Sequence, residues 1–409
     1  MLDLSWLLAP FDSTEFLASY WESRPLHVRR DASGFYDPLL TRADLDRIRT
    51  LAEMTTPVVE LVEKGQRREN ERDHGVSFGP RDLDELYAGY GRGATLKWRY
   101  LDTRCRPVAE LCQALEGTLS GDLGAEMYLT PPGSQGFAAH FDKYHFFVLQ
   151  IDGSKHWRIY DRPFPFPRKG HGTARPDDPR NVIAEIELRP GELLYLPRGY
   201  FHDAWTGDAA SLSVNVGVQV YTWFDALVAA LEAVEQSDSS FRRALPAGFT
   251  REGAAALPEM REEFARLLAS FVEHARIDTA VDRLAERFTW HSHQPLDGFL
   301  ADFSASADLA PTTVLKRRSN LAHRIVIDGD SVTLVLPQRR IRAPAHVEEA
   351  LRFIVAADEL SADALPGPLS DDAKLVLLRR LVREGFLTVV TPVAADAPHV
   401  PRAVSRPGG

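Results

Sequence analysis

Between residues 124 and 220 the chain alternates apolar, aromatic and β-branched residues with polar ones, and short turn signals interrupt the alternation. Four such runs follow one another: AEMYLTPPGSQG, HFFVLQIDGSKHWRIY, AEIELRPGELLYLPRGYFH and ASLSVNVGVQVY. A period of two is typical of strands with one buried face, and the breaks at 152–153, 189–192 and 197–199 contain the glycine and proline that tight turns require. Many short strands joined by such turns predict a barrel or a double-sheet jelly roll.

After residue 220 the period changes from two to that of a helix. In WFDALVAALEAVEQ the apolar residues recur at 224, 227, 228, 231 and 234, and PEMREEFARLLASFVEHARIDTAVDRLAERF continues in the same manner. This spacing predicts amphipathic helices over the region 221–290. Helices with no place in a barrel form either an interface between two copies of the chain or a small intramolecular bundle, and the pattern favours neither.

The region 291–400 has a third character. HRIVIDGDSVTLVLP predicts a hairpin that turns at Asp-Gly, HVEEALRFIVAAD predicts a helix, and SDDAKLVLLRRLVREGFLTVV predicts a helix followed by a strand. Helix, helix and strand pair in this order are typical of a winged helix. The residues up to about 120 mix helices with short strands, so we divide the chain into a β domain at 1–220, a helical region at 221–290 and a winged-helix-like domain at 291–400.

Composition narrows the functional class. The chain has 409 residues, 44% of them hydrophobic and 26% charged, and a net charge of −10. These values indicate a globular protein, argue against a general nucleic-acid binder and are compatible with a basic partner. No apolar run reaches membrane length, the N-terminus lacks the features of a signal peptide, and two cysteines, which we place on one buried helix face, predict no disulfide framework. We therefore expect a cytoplasmic protein that binds no membrane.

Three residues in the β domain suggest a metal site. His140 and Asp142 form an H-x-D pair, and residues two apart on a strand point to the same side. Such a pair often occurs by chance, but His202 follows the turn in GELLYLPRGYFHDAW, at the start of a further strand. Two histidines and one carboxylate form the facial triad of non-haem Fe(II) oxygenases, which leaves three positions open.

Lys155 is a second indication of a binding site, because a buried lysine needs an anion. It follows the turn at 152–153, on a strand that pairs back across the barrel. A lysine inside a barrel is unfavourable unless it meets an anion, and a dicarboxylate co-substrate bound to the metal would provide one. Since three protein ligands suffice, we interpret His145 and His156 as residues of the wall or of the layer behind the ligands. His291 and His293 have no acidic or cysteine partner nearby, so we interpret them as structural or surface residues.

These motifs resemble those of a known family. YLTPPGSQGFAAHFDKYHFFVLQIDGSKHWRIY, PGELLYLPRGYFHDAW and SLSVNVG, together with the opening EFLASYWESRPLHVRR, are similar to the JmjC ribosomal oxygenases of the cupin-like type. The resemblance covers most of the chain. It implies a mainly β double-stranded β-helix followed by a helical dimerisation region and a C-terminal winged helix. It also implies Fe(II) on His140, Asp142 and His202, and Lys155 against the distal carboxylate of 2-oxoglutarate.

The same resemblance assigns expected roles to other residues. Tyr128 matches a tyrosine of the co-substrate pocket, and Asn215 falls at a cofactor-binding position where the family often has a small hydroxyl residue. Glu126 falls where some members have asparagine, a departure that could change the fit of the substrate. Ser134 and Gln135 belong to the loop before the metal ligands and are expected at the substrate entrance.

The implied activity is Fe(II)- and 2-oxoglutarate-dependent hydroxylation of a protein or peptide side chain, an arginine or histidine of a ribosomal protein, by a homodimer. A dedicated peptide hydroxylase and a lysine demethylase would use the same chemistry. Two other classes remain: a non-oxidising cupin enzyme with another divalent metal, and a non-catalytic binding protein acting through its winged helix. Lys155 argues against the first, and the intact triad argues against the second.

Overall fold

The computed structural model describes residues 2–45, 59–63, 66–67, 80–162, 165–168, 181–252, 258–292 and 298–390. The chain divides into two compact units, residues 1–293 and residues 294–409. The helical region 221–290 therefore belongs to the first unit. The three-part division at 220 and 290 stays a prediction.

The strands and helices of the first unit are listed here in chain order. The strands are β1 Leu26–Val28, β2 Val59–Glu63, β3 Gln66–Arg67, β4 Thr95–Trp98, β5 Gly121–Thr130, β6 His145–Asp152, β7 Lys155–Tyr160, β8 Val182–Leu188, β9 Leu193–Leu196, β10 His202–Trp205 and β11 Ser211–Val220. The helices are α1 Leu4–Leu8, α2 Ser13–Ser19, α3 Pro80–Gly91, α4 Arg106–Leu119, α5 Trp223–Ser237, α6 Phe249–Glu252, α7 Pro258–His274 and α8 Ile277–His291.

The strands form two antiparallel sheets. The larger has the order β1-β9-β6-β11-β5-β4-β2-β3, and the smaller has the order β10-β7-β8. Phe146 and Val148 of the larger sheet pack with Trp157 and Ile159 of the smaller sheet in one buried cluster. The predicted double-sheet architecture is confirmed, and its interior lies between these two sheets.

Strand alternation decides which side chains enter that interior. On β5, Leu123, Ala125 and Met127 belong to the main hydrophobic core, together with Leu111 and Leu115 of α4. Helix α4 therefore covers the outer face of the large sheet. Because successive side chains point to opposite faces, the even-numbered residues of β5 face the smaller sheet, where the candidate chemistry lies.

Gly153 allows β6 to turn back into β7. Its φ is 62°, and a Cβ there would lie 1.8 Å from the carbonyl oxygen of Ala210. A side chain at this position is therefore incompatible with both the turn and the neighbouring strand. The turn predicted at 152–153 is confirmed, and it places Lys155 at the first position of β7.

The two cysteines do not share a helix face, so that prediction was wrong. Cys112 is buried in α4, whereas Cys105 immediately precedes the helix and is partly exposed. Helix α4 begins at Arg106 with a proline in its first turn, and this position favours the start of a helix.

Among the described residues, no helix has both the length and the apolar character that crossing a membrane requires.

The helical region packs on itself in part. Helix α5 contacts α8 through small residues, Ala229 and Ala230 against Ala280, with Phe271 and Leu284 at the margin. Large apolar side chains on α5 and α7 nevertheless remain exposed; they are Trp223, Phe224, Leu227, Leu231, Phe264, Leu268 and Val272.

The second unit contains three helices and six strands among the residues described. These are α9 Phe299–Ala305, β12 Leu315–Arg317, β13 Arg324–Asp328, β14 Ser331–Leu336, β15 Arg339–Pro344, α10 Glu348–Ala356, β16 Glu359–Leu360, α11 Asp371–Arg383 and β17 Leu387–Val389. The sheets have the orders β16-β12-β17 and β13-β14-β15. The predicted hairpin is confirmed, with Asp328 opposite Ser331. His293 and residues 391–400 of the predicted domain lie outside the described residues.

Candidate metal centre and cavity

His140, Asp142 and His202 converge. One ligand atom from each lies within 4.8 Å of the others, and this is the group of metal-binding side chains found among the described residues. Nε2 of His140 is 3.9 Å, and Nε2 of His202 is 3.7 Å, from Oδ2 of Asp142. Two nitrogens and one carboxylate oxygen therefore face a common point.

The H-x-D pair does not lie inside a regular strand, contrary to the sequence-based picture. His140 forms an isolated bridge with His202, the first residue of β10, and Asp142 precedes β6, which begins at His145. The two histidines exchange backbone hydrogen bonds, 3.0 Å from the His140 N–H and 2.8 Å from the His202 N–H. This bridge holds both imidazoles side by side, with ring centroids 4.4 Å apart.

Backbone carbonyls determine the tautomer of each imidazole. Nδ1 of His140 donates to the carbonyl of Ala138 at 2.8 Å, and Nδ1 of His202 donates to that of Tyr200 at 3.1 Å. A carbonyl oxygen can only accept, so each neutral ring has its proton on Nδ1 and its lone pair on Nε2. The two lone pairs therefore point to Asp142, as metal-ligating histidines require.

Burial favours the uncharged state of these groups. Desolvation lowers the pKa of His202 well below its ordinary value, and desolvation raises the pKa of Asp142. His202 is only 4% exposed. A neutral imidazole is the ligating form, and a bound cation would compensate the negative charge of the partly buried Asp142 carboxylate.

The turn before His202 is held by a polar cluster. The backbone N–H of Gly199 donates to the carbonyl of Asp142 at 2.9 Å. The guanidinium of Arg198 donates twice to Oε1 of Glu22, at 3.1 Å and 2.6 Å. Glu22 of the N-terminal segment therefore holds the turn through Arg198, and the same turn contacts the H-x-D loop through Gly199. Sequence reasoning missed Glu22, which is more than a hundred residues away from both.

Lys155 points into the same interior. It is 7% exposed, and its ammonium donates to the hydroxyl of Thr130 at 3.1 Å. Thr130 also accepts from the hydroxyl of Thr95 at 3.2 Å. Burial lowers the pKa of Lys155 to about 8, because the residues around it provide no compensating carboxylate.

A second buried lysine, Lys97 on β4, is paired by the protein. Its ammonium lies 2.9 Å from Oε2 of Glu126, and the hydroxyl of Tyr128 donates to the same oxygen at 2.8 Å. Lys97 is 4% exposed. Desolvation raises the pKa of the Tyr128 hydroxyl well above its usual value, so it remains a donor. The sequence analysis singled out Tyr128 and Glu126 but not Lys97, whose inward direction follows from the alternation along β4.

One cavity joins these groups. It has a volume of about 720 Å³, and its lining includes the three convergent side chains, both lysines, Glu126, Tyr128 and Asn215. Aromatic side chains complete the wall; they are Tyr100, Phe137, Tyr144, Phe146 and Trp157. This size and mixture are typical of a small-molecule or side-chain site.

Ser134 and Gln135 lie beside the cavity, and they are not among the described residues that line it. The Ser134 hydroxyl donates to the carbonyl of Pro132 at 3.1 Å, and its backbone N–H donates to Thr206 at 2.9 Å. Gln135 donates to the carbonyl of Phe137 at 3.2 Å. Both order the loop that leads to His140, and a role in substrate binding stays a prediction.

His145, His156 and His291 lie outside the convergent group, and His293 is not among the described residues. His145 is fully buried and stacks on Trp21, with ring centroids 4.5 Å apart, while the Tyr195 hydroxyl lies 3.1 Å from its Nδ1. His156 stacks on Trp205 at 5.5 Å. His291 bonds the carbonyl of Arg287 within α8. These contacts agree with the structural roles predicted for them.

Comparison with known proteins gives consistent matches. The model of the JmjC domain matches residues 102–226. A bifunctional lysine-specific demethylase and histidyl-hydroxylase NO66 of Drosophila persimilis is 31% identical over 311 residues, which cover 71% of this chain and 44% of that protein. Ribosomal oxygenase 1 of Danio rerio is 26% identical over 446 residues, 96% of this chain and 80% of the relative. The chain thus spans less than half the length of the NO66 protein.

Solved structures show the same fold. The ribosomal oxygenase YcfD of Escherichia coli, in complex with cobalt and 2-oxoglutarate, has a TM-score of 0.57 and 21% identity, covering 93% of this chain and 99% of that chain. Since this identity is low, the likeness concerns the fold. The domain match shows a JmjC domain at residues 102–226, and over most of its length the chain is similar to ribosomal oxygenases.

Proposed function

We propose that the protein is an Fe(II)- and 2-oxoglutarate-dependent oxygenase that hydroxylates a side chain of a protein or peptide. The observation that carries this proposal is the convergence of His140, Asp142 and His202 in one cavity with Lys155, a buried cation. The relatives' names, a histidyl-hydroxylase and a ribosomal oxygenase, support the same activity.

The convergent side chains suit Fe(II). Nε2 of His140, Nε2 of His202 and one oxygen of Asp142 would form a facial set, because carbonyl contacts already orient both imidazoles. Three ligands leave the opposite face open to a chelating co-substrate and to oxygen. The absence of cysteine from the cluster argues against a structural zinc site.

Lys155 suits a dianionic co-substrate. Its ammonium, held by Thr130, would pair with the distal carboxylate of 2-oxoglutarate, and Tyr128 would border the same pocket. We also retain Asn215 as a candidate co-substrate contact, because it lines the cavity. Bound Fe(II) and 2-oxoglutarate would supply the oxidising chemistry, in which one oxygen atom enters a C–H bond while 2-oxoglutarate becomes succinate and CO2.

The chain's own residues would prepare that reaction. Phe146 and Trp157 pack within 5.1 Å and 5.8 Å of the His202 ring, centroid to centroid, and limit its contact with water. Tyr144 hydrogen-bonds Asp142 and orients its carboxylate. The resulting site positions a substrate C–H bond and excludes solvent, which is the protein's part in cofactor chemistry.

For the substrate we propose a basic segment of a ribosomal protein, with arginine or histidine as the target residue. The net charge of −10 and the relatives' names support this class. Lysine demethylation by the same site is the alternative, and the name of the NO66 relative supports it.

We further propose that the helical region mediates a homodimer and that the second unit is a winged helix. The exposed apolar residues of α5 and α7, Trp223, Phe224, Leu227, Phe264 and Val272 among them, support an interface with a second copy. Helices α10 and α11 beside the sheet of β12, β16 and β17 support a winged helix. Measurement of the mass in solution, for the wild type and Phe224→Glu, tests the dimer.

The activity is tested by incubating the protein with Fe(II), ascorbate, 2-oxoglutarate and peptides tiled over the ribosomal proteins of the source organism. We expect a mass gain of one oxygen on one residue, and a loss of at least 10³-fold in His202→Ala, which removes a ligand. His156→Ala, on the neighbouring strand and outside the cluster, should retain activity. Calorimetry with Mn(II) should show binding to the wild type and to His156→Ala but not to His202→Ala.

Two outcomes would redirect the assignment. If His202→Ala hydroxylates as well as the wild type does, these three residues are not the metal site. If the wild type binds Mn(II) but neither consumes 2-oxoglutarate nor oxidises any peptide, a non-oxidising cupin enzyme or a binding protein becomes the better interpretation.

A further inference from the structure

The interior face of the β5–β11 ladder forms a trough that leads out of the cavity. Residues opposite each other on the two strands define its steps: Tyr128 and Ser213, Glu126 and Asn215, Gly124 and Gly217, Asp122 and Gln219. Ser213 is buried, Glu126 and Asn215 are half-buried, and Asp122 and Gln219 are exposed. The trough therefore opens from the buried site towards solvent.

A glycine pair forms the floor of the trough. Where Gly124 faces Gly217, neither strand contributes a side chain between the inner pair, Glu126 and Asn215, and the outer pair, Asp122 and Gln219. The Cβ position of Gly217 lies 3.2 Å from the ring of Tyr144, which hydrogen-bonds Asp142. The Tyr144 ring therefore covers Gly217 and connects this side of the floor to Asp142, while the Gly124 side remains open.

The inner pair presents hydrogen-bond acceptors. Oδ1 of Asn215 is buried, and no group of the described residues donates to it. Opposite it on β5, Oε2 of Glu126 contacts Lys97 and Tyr128, and Oε1 lies 4.0 Å from Nε of Arg99. A buried acceptor without a donor is unfavourable, and an N–H donor from a substrate would satisfy it.

We propose that the trough is the path of an extended peptide, with the target residue above Glu126 and Asn215 and a basic flanking residue at Asp122. This inference rests on the proposed function and specifies how its substrate binds. Asp122 and Glu126 are four positions apart on β5, a rise of about 13 Å at about 3.3 Å per residue. An extended peptide advances by a similar distance, so the flanking residue lies about four positions from the target.

Charge favours a basic segment as the occupant. Asp122 stands at the open end, the nearby cations Lys97 and Arg99 are already paired with Glu126 and Glu60, and the chain as a whole is acidic. The open Gly124 side of the floor admits a peptide backbone where a side chain on β5 would obstruct it. A compact small molecule would not need an open floor between the inner and outer polar pairs, whereas an extended peptide does.

Gly124→Val tests the path. An ideal Cβ at Gly124 meets one atom within 4 Å, Oδ1 of Asp102 at 4.0 Å, and valine suits a strand, so we expect the variant to fold. Gly117→Ala is the control, since a Cβ at this position in α4 meets nothing within 4 Å. The probes are the tiled ribosomal peptides with Fe(II) and 2-oxoglutarate.

We expect Gly124→Val to lower kcat/KM for the peptide at least tenfold, with the Kd of 2-oxoglutarate unchanged and Gly117→Ala like the wild type. Wild-type kinetics in Gly124→Val would refute the path and leave the oxygenase assignment intact. Consumption of 2-oxoglutarate by the wild type without oxidation of any peptide would exclude an extended peptide as the occupant. Failure of the wild type to consume 2-oxoglutarate would refute the proposed function itself.

Asp122→Asn tests the outer position. For a hydroxylated peptide with arginine or lysine about four residues from its target, we expect KM to rise about threefold, since an exposed ion pair contributes little. The same peptide with alanine at that position should show no difference between Asp122→Asn and the wild type. Equal KM changes for both peptides would contradict the assignment of Asp122 to a flanking residue.

Discussion

Two lysines enter the same cavity from different sheets, and the protein treats them differently. Lys97, on the large sheet, lies 2.9 Å from a carboxylate oxygen of Glu126. Lys155, on the small sheet, contacts the hydroxyl of Thr130 at 3.1 Å. Both are almost fully buried, at 4% and 7% exposure. The carboxylate of Glu126 neutralises the charge of Lys97, whereas Lys155 has only a neutral hydroxyl as its hydrogen-bond partner.

This difference separates a structural cation from one that is prepared for a ligand. A buried ion pair offsets its own desolvation in part, but a buried cation beside a hydroxyl does not. The cost appears in Lys155, whose pKa burial lowers to about 8. The fold therefore tolerates an unfavourable group at the position where a dianionic co-substrate would relieve it.

Replacement of Lys155 by methionine should have the largest effect. We expect the Kd of 2-oxoglutarate, measured by calorimetry with Mn(II) bound, to rise about 100-fold, because a buried charged hydrogen bond is lost. The ligand-free protein should become more stable, since at pH 7 the buried ammonium costs on the order of 3 kcal/mol. Scanning calorimetry should then show a higher Tm for the first unit.

Lys155→Arg is the matched control, because it retains a cation at the same position. It should weaken 2-oxoglutarate binding less than methionine does and should not raise the Tm. An unchanged Kd in Lys155→Met would show that the co-substrate carboxylate binds elsewhere in the cavity.

The two lysines also show what the sequence could reveal. The convergence of His140, Asp142 and His202 and the inward direction of Lys155 were predictable from local signals, the H-x-D pair and the turns before His202 and β7. The partner of Lys97 was not, because it depends on the pairing of β4 with β5, where Lys97 lies opposite Tyr128. The glycine floor depends likewise on the register of β5 and β11, strands separated by about eighty residues in the chain.

The bridge between His140 and His202 was missed for the same reason. Alternation within a strand suggested that His140 and Asp142 share a face of a regular strand, but a backbone contact with a residue sixty positions away places them instead. The sequence therefore predicts which residues form the site, but it does not predict the backbone contacts that hold them in place.

Replacement of Lys97 by methionine should act on stability rather than on the co-substrate. It leaves the half-buried carboxylate of Glu126 with only the 4.0 Å contact to Arg99, so we expect a loss of about 2 kcal/mol in the free energy of unfolding, less than for a fully buried pair. Denaturant unfolding measures this change. The Kd of 2-oxoglutarate should change less than threefold.

Lys97→Met combined with Glu126→Gln is the control, since it removes both charges and should recover most of the lost stability. A hundredfold rise in the Kd of 2-oxoglutarate in Lys97→Met, with unchanged stability, would reverse the roles that we assign to the two lysines.

The smallest expected effect is the pH dependence of 2-oxoglutarate binding, which should follow the titration of Lys155. Lys155 loses its proton in the folded, ligand-free protein at about pH 8, compared with an ordinary lysine value of 10.5. Above pH 8 the neutral amine no longer pairs with a carboxylate, so the Kd of 2-oxoglutarate should rise about tenfold per pH unit.

Over the same range the unfolded chain still binds the proton that the folded chain has released, so the contribution of Lys155 to stability should increase from pH 8 to pH 10.5. Co-substrate affinity and this part of the stability thus change in opposite directions. Binding and thermal unfolding between pH 7 and pH 9 measure both changes. Lys155→Arg should show neither, because a guanidinium stays charged throughout, and a wild-type Kd that is constant across this range would place the distal carboxylate on a cation other than Lys155.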